Sequence, residues 1–240
     1  MAMGKQAKVL SEVQIRTTLQ FLSTTRNSQR DIVILLLSVK SGLRAKEIAS
    51  LTWQMVTDPE GNIGNSIALQ NVASKGKNGG RNIPLNKDLK AALEILKDFA
   101  VAKRLEKGFS FDLASNVITS ERGERMSANS IAHWFKRLYG NLGFDGCSSH
   151  SGRRTAITRW AKHTSQAGGS LKDVQELSGH VSLSTTQRYI QSDTAAKRKL
   201  VDMGWFMARV ITFPLRAAWW LFKWTILGLI CFMIGMHFGR

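Results

Sequence analysis

Six residues of this chain have the types and local contexts to break a phosphodiester with fixed protein cations: Tyr189, Arg44, Arg153, His150, His180 and Lys75. That reaction needs a nucleophile in line with the leaving oxygen, cations around the non-bridging oxygens and an acid for the leaving group. A phenolic oxygen meets the first need, because a covalent phosphotyrosine conserves the bond energy for a later rejoining step. Guanidinium forks match two phosphate oxygens and stay charged at any working pH, so Arg44 and Arg153 suit a phosphate clamp. His150 and Arg153 stand three apart at an expected helix start, where they share one face and the helix terminus also favours an anion. His180 follows Gly179 and precedes Tyr189 by nine residues, a position that also fits a capping or core histidine. Lys75 lies in a lysine- and glycine-rich turn, with Lys77 as its rival. The set calls for neither a metal nor a cofactor.

The elements that must position these groups can be read from periodicity and caps. Ser11 is an N-cap ahead of a helical pattern at Val13, Leu19 and Leu22. Ile32 to Val39 is almost wholly apolar and predicts a buried helix that Gly42 closes, after which Arg44 opens a short helix through Trp53. From Val56 the texture becomes β. Asp58 to Gly61 is a turn, Ile67–Val72 and Arg81–Leu85 are short strands, and Ala73–Gly80 is the hairpin tip that carries Lys75. Helical stripes return at Leu89, Leu93, Leu96 and Ala100, and again at Ile131, Trp134, Phe135, Leu138 and Leu142. A helix should run from His150 to Lys162, a loop over Gln166–Ser170, and a second helix from Leu171 to Leu177. Ser184 and Gln187 have capping-box spacing just ahead of Tyr189, and a short basic helix is expected at Ala195–Val201. The fold class expected is mainly α with a small antiparallel β-sheet.

Charge and composition narrow the partners. The 240 residues carry 34 Lys and Arg against 17 Asp and Glu, a net charge of +17 that calls for a polyanion, either nucleic acid or an anionic membrane. Only Arg209, Arg216, Lys223 and Arg240 of those basic residues fall in residues 205–240, so most of the excess lies upstream. A hydrophobic content of 43% excludes general disorder. Cys147 and Cys231 are too few for a disulfide scaffold or a thiolate metal site, which fits a reducing compartment, and the basic N-terminus leads into no apolar signal segment.

Composition shifts after Gly204. Within Ala217–Met236 only Lys223 is charged, and as a helix this stretch would measure roughly 30 Å, one bilayer core. Trp219, Trp220 and Trp224 cluster at one end with Arg216 and Lys223, as in an interfacial belt. The organisation expected is a flexible basic start at residues 1–10, a catalytic domain at 11–204, and a tail at 205–240 whose helix 217–236 anchors a cytoplasmic catalytic domain to a membrane. A tail that packs against another subunit of a soluble cytoplasmic protein is the other reading.

The ordered set Gly-Leu-Arg-x-x-Glu, lysine on a hairpin, His-x-x-Arg, Gly-His and tyrosine resembles the tyrosine recombinase, or phage integrase, family. The match spans Ser11 to Val201, and Leu177–Tyr189 is its most specific part. The resemblance implies site-specific cleavage and rejoining of double-stranded DNA, with Tyr189 attacking to leave a 3′-phosphotyrosine and Arg44 and Arg153 stabilising the transition state. It further implies that Lys75 protonates the leaving 5′-oxygen, His150 assists proton transfer at the tyrosine, His180 hydrogen-bonds the phosphate and Glu47 buttresses Arg44. A homotetramer on two DNA sites, exchange of a C-terminal segment (Thr194–Asp202) and accessory DNA-bending proteins follow from the same likeness. The short stretch before Arg44 resembles recombinases without a separate N-terminal DNA-clamping domain, and Arg154 stands where relatives often have a second histidine. Two alternatives stay open: a DNA-relaxing enzyme like type IB topoisomerases, and an inactive relative that binds DNA or tethers it to a membrane.

Overall fold

Residues Val33 to Val39 are all buried, so the helix that contains them has no solvent face of its own and must be covered from several sides. This is α2 (Ser28–Val39), and it packs against α1 (Glu12–Ser23), α4 (Lys87–Leu105) and α6 (Ser151–His163). The computed structural model describes residues 7–70 and 80–189, together with Lys223 and Ile226. The chain divides into two compact units, Met1–Ile190 and Gln191–Arg240, and in the second the two described residues are helical.

The remaining elements of the first unit are α3 (Ala45–Ser50), β1 (Ser66–Leu69), β2 (Arg81–Pro84), α5 (Ala128–Asn141), α7 (Leu171–Ser178) and α8 (Leu183–Gln187). The unit is mainly helical with one small antiparallel sheet, the fold class expected. β1 and β2 pair with Ser66 opposite Pro84 and Leu69 opposite Arg81, and Ile67, Leu69 and Ile83 turn inward. α5 lies against α3, where Trp134, Phe135 and Tyr139 build an aromatic layer. The hairpin tip, the basic helix expected at Ala195–Val201 and, apart from Lys223 and Ile226, the apolar segment 217–236 lie outside the described residues. Among the described residues no helix is long and apolar enough to cross a membrane.

Local signals explain most helix ends. The Ser11 hydroxyl accepts from the Gln14 N–H while the Gln14 side chain accepts from the Ser11 N–H, a reciprocal capping box. Past α2, Gly42 takes φ +62° and the Leu43 N–H returns to the Leu37 carbonyl, so the glycine closes the helix as its position predicts. Two expectations need correction. The helix opened by Arg44 stops at Ser50, because Trp53 and Gln54 donate to the Ser115 and Leu113 carbonyls and pull the chain into extended pairing before a 3-10 turn at Trp53–Met55. α8 starts two residues earlier than Ser184 implies: extended Ser182 is its cap and accepts from the Ser184 N–H, which leaves Gln187 at the helix end and outside any capping box.

The crossing of α6 over α2 sets where His150 and Arg153 project. A Cβ at Gly152 would stand 2.2 Å from the Ser38 Oγ and 2.8 Å from its Cβ, so only glycine permits this approach. Gly152→Ala should therefore cost about 1–3 kcal/mol through overpacking. Denaturant unfolding checks this, and a cycle with Ser38→Gly should show a favourable coupling because that partner removes both clashing atoms.

Candidate active site

Arg153 is the third residue of α6 and only 4% exposed, yet among the described residues its guanidinium binds no carboxylate. It donates through Nη1 to the Gly42 carbonyl at 2.6 Å and through Nη2 to the Ser178 carbonyl at 2.7 Å. Both acceptors precede or adjoin left-handed turns, at Gly42 and Gly179, each with φ +62°. One arginine thus fixes the loop leading to Arg44 and the helix end leading to His180. Burial, followed by the charge of Arg44, pushes the Arg153 pKa down to about 10, so it remains a cation at neutral pH.

The charge beside it is organised on Glu47, 1% exposed at the third position of α3. Its carboxylate accepts from the Arg44 N–H and from Arg44 Nη1, both at 2.8 Å, and from Arg81 Nη1 and Nη2 at 3.0 and 3.2 Å. Burial alone would raise the Glu47 pKa, but the hydrogen bonds and charge of Arg81, with those of Arg44, outweigh it and hold the carboxyl below its ordinary value. Arg81 also donates through Nε to the Leu177 carbonyl at 2.9 Å. It joins the base of the β-hairpin to α3 and to the end of α7. A Cβ at Gly179 would lie 2.7 Å from the Arg81 Nη1, so glycine there serves both the left-handed turn and this close contact.

Five of the six candidate residues, Arg44, His150, Arg153, His180 and Tyr189, line one cleft of about 400 Å³, which Arg154 and Arg188 also border. His150 stands at the N-cap position of α6 without a side-chain capping bond and is exposed. The His180 ring stacks on Tyr189, with centroids 5.3 Å apart, and its Nδ1 lies 3.0 Å from the Thr186 Oγ1. With the Thr186 hydroxyl donating, the Nε2 of a neutral ring carries the proton and becomes a donor for a ligand. Tyr189 follows the short α8, and its carbonyl accepts from the Thr158 hydroxyl at 3.5 Å. Lys75 and Lys77 lie outside the described residues, between β1 and β2.

Sequence reasoning missed Arg81 as a site residue and also missed Gln175, whose Nε2 donates to the His180 carbonyl at 3.0 Å. The available signal for Arg81 was its place at the first residue of the strand after the lysine-bearing tip. A cluster of cations around one buried carboxylate, opening on a cleft that contains a tyrosine, is suited to bind a phosphate and present a nucleophile to it.

The chain belongs to the phage integrase family, whose model matches residues 8–196. It is 30% identical over 201 residues to a tyrosine recombinase XerC from Thermodesulfovibrio yellowstonii, covering 78% of this chain and 63% of that protein. It is also 30% identical over 175 residues to the XerC of Proteus mirabilis, covering 73% of this chain and 52% of that one. The chain therefore spans between half and two thirds of the length of these relatives. Among solved structures it is similar in fold to the Tn1549 transposon integrase in complex with a circular intermediate DNA, with a TM-score of 0.62, 21% identity and coverage of 85% of this chain and 68% of the other.

Burial, then Arg153, Arg44 and Arg81, lowers the His180 pKa from 6.5 to about 4. The ring is neutral at pH 7 in the free protein. Because the folded value is depressed, its contribution to stability is complete above the unfolded value of 6.5 and is lost as pH falls toward 4. NMR of the labelled ring should give a midpoint near 4, and Arg44→Gln should raise it by removing one neighbouring cation. A wild-type midpoint near 6.5 would contradict this electrostatic picture.

Proposed function

We propose that this chain is a site-specific DNA recombinase that cuts and rejoins duplex DNA through a 3′-phosphotyrosine. The observation that carries the reading is the convergence of Arg44, His150, Arg153, His180 and Tyr189 on one cleft. In the forward step the Tyr189 Oη bonds to the scissile phosphorus, and the bond from phosphorus to the 5′-oxygen breaks. His150 takes the phenolic proton, and Lys75 gives one to the departing 5′-oxygen. Arg44 and Arg153 carry the charge that builds on the non-bridging oxygens, and His180 donates to one of them from Nε2. Reversal, with a 5′-hydroxyl of another strand as attacking group, rejoins the DNA without a nucleotide.

Family membership and the complex of the Tn1549 integrase with a circular intermediate DNA support DNA as the substrate. The catalytic domain is assigned to residues 11–204, acting as a tetramer on two DNA sites with accessory DNA-bending proteins, and Thr194–Asp202 is the segment exchanged between neighbours. The decisive experiment is to trap the covalent adduct on nicked duplexes drawn from DNA flanking the gene. Wild-type protein should form it, Tyr189→Phe should bind DNA without forming it, and Arg44→Ala should slow it by about two to three orders of magnitude. A 5′-bridging sulfur, which leaves without a proton, should rescue Lys75→Ala and leave Arg44→Ala impaired. Adduct from the Phe variant, or rescue of Lys77→Ala in place of Lys75→Ala, would overturn the corresponding assignment.

The tail reading rests on length and apolar composition: in water Trp219 to Met236 would expose a large apolar surface, whereas a bilayer covers it and a helix satisfies its own backbone. Arg209, Arg216 and the basic region before it would keep the catalytic domain on the cytoplasmic side. Full-length protein should pellet with membranes and resist carbonate extraction, while a chain ending at Gly204 should be soluble and still form the adduct. Full-length protein that stays soluble without detergent rules the anchor out.

A further inference from the structure

The cleft holds more positive charge than one phosphodiester can balance. Arg44 and Arg81 share the buried carboxylate of Glu47, Arg153 lines the cleft with its two hydrogen bonds on backbone carbonyls, and Arg154 and Arg188 add two further cations at the cleft wall. Among the described residues, no carboxylate lies within ion-pair distance of either of these two. Arg154 is also held in place. Its Nη1 donates to the Ala7 carbonyl at 3.0 Å, and its Nε is enclosed without a hydrogen-bond partner. Ala7 lines the same cleft, and its segment is pinned by the Lys8 N–H on the Gly146 carbonyl and the Leu10 N–H on the Thr155 Oγ1. A backbone acceptor thus orients this guanidinium while Nη2 keeps its donors for a ligand.

Building on the recombinase reading, we infer that Arg154 forms a second phosphate subsite, which takes a backbone phosphate neighbouring the scissile one on the same DNA strand. Phosphates follow one another along a strand at about 3.4 Å of helix rise, so a cation beside the clamp meets the next one in either direction. Arg188, next to Tyr189 in sequence, adds charge to the same wall. Arg154 acts here by binding and register and has no part in the bond-making step.

The test uses full-length protein in two measurements. On a generic duplex, Arg154→Gln should reduce the slope of log affinity against log salt by about 0.9, the release expected for one phosphate contact, and Arg154→Lys should restore most of it. On the duplex mapped by adduct trapping, uncharged methylphosphonate is placed singly at each phosphate flanking the cleavage point. At one position wild type should lose about tenfold in affinity and Arg154→Gln nothing further, while the adduct still forms at saturating DNA. An unchanged salt slope together with additive losses at every flanking phosphate overturns the subsite, as does a lowered unfolding midpoint with unchanged DNA binding, which would reduce Arg154 to a staple for Ala7. Absence of any adduct would count against the recombinase reading, and the salt slope would still decide the subsite.

Discussion

The site depends on a buried guanidinium held between two backbone carbonyls. Arg153 reaches Gly42, 111 residues away in sequence, and Ser178, 25 residues away, and so joins the loop before Arg44 to the turn before His180. Placing a cation at 4% exposure is costly unless its donors are satisfied, and carbonyls at 2.6 and 2.7 Å satisfy two of them without neutralising the charge. A carboxylate in the same place would stabilise the fold and weaken the attraction for a phosphate. Carbonyl acceptors therefore reconcile burial with anion binding.

Glu47 resolves the opposite problem. Three arginines packed together repel one another, and one carboxylate at 1% exposure, shared by Arg44 and Arg81, offsets part of that repulsion. Its two partners differ in consequence. Arg81 is almost fully covered, with 8% of its side chain exposed, and spends its donors on Glu47 and Leu177, so it acts as structure. Arg44 keeps 30% of its side chain exposed and faces the cleft, so it can give remaining donors to a ligand. The cluster as a whole keeps a positive excess, which adds to burial in holding the nearby His180 ring neutral.

Legibility in the sequence follows the range of the interactions concerned. Ser11 and its cap are readable because both partners sit within one helical turn, and the inward alternation of Ile67 and Leu69 is readable because a strand repeats every two residues. Five cleft residues stand out by type and spacing, but their convergence does not, since the acceptors that impose it are carbonyls and carry no residue identity. Arg81 is illegible for a related reason. It is one of 34 basic residues, and its carboxylate lies 34 positions away across a hairpin. The start of α8 misleads because serines occupy both 182 and 184, and only the backbone conformation decides which one caps.

The cations and the proposed nucleophile are held with unequal firmness. Arg153 and Glu47 are buried and Arg81 is almost fully covered, and their hydrogen bonds tie together α3, α6, α7 and β2, so removing Glu47 or Arg81 costs the other a covered partner. Tyr189 follows a helix of five residues and is secured by the stack on His180, a turn bond from its N–H to the Thr186 carbonyl and a long bond to Thr158. Segments with few buried contacts open at lower free energy than a packed core. An anion-binding surface that is ordered before any ligand arrives requires little reorganisation when charge develops, which is where fixed dipoles and cations are most effective. The proposed nucleophile sits instead on a small element beside that surface, held by fewer contacts than the cations.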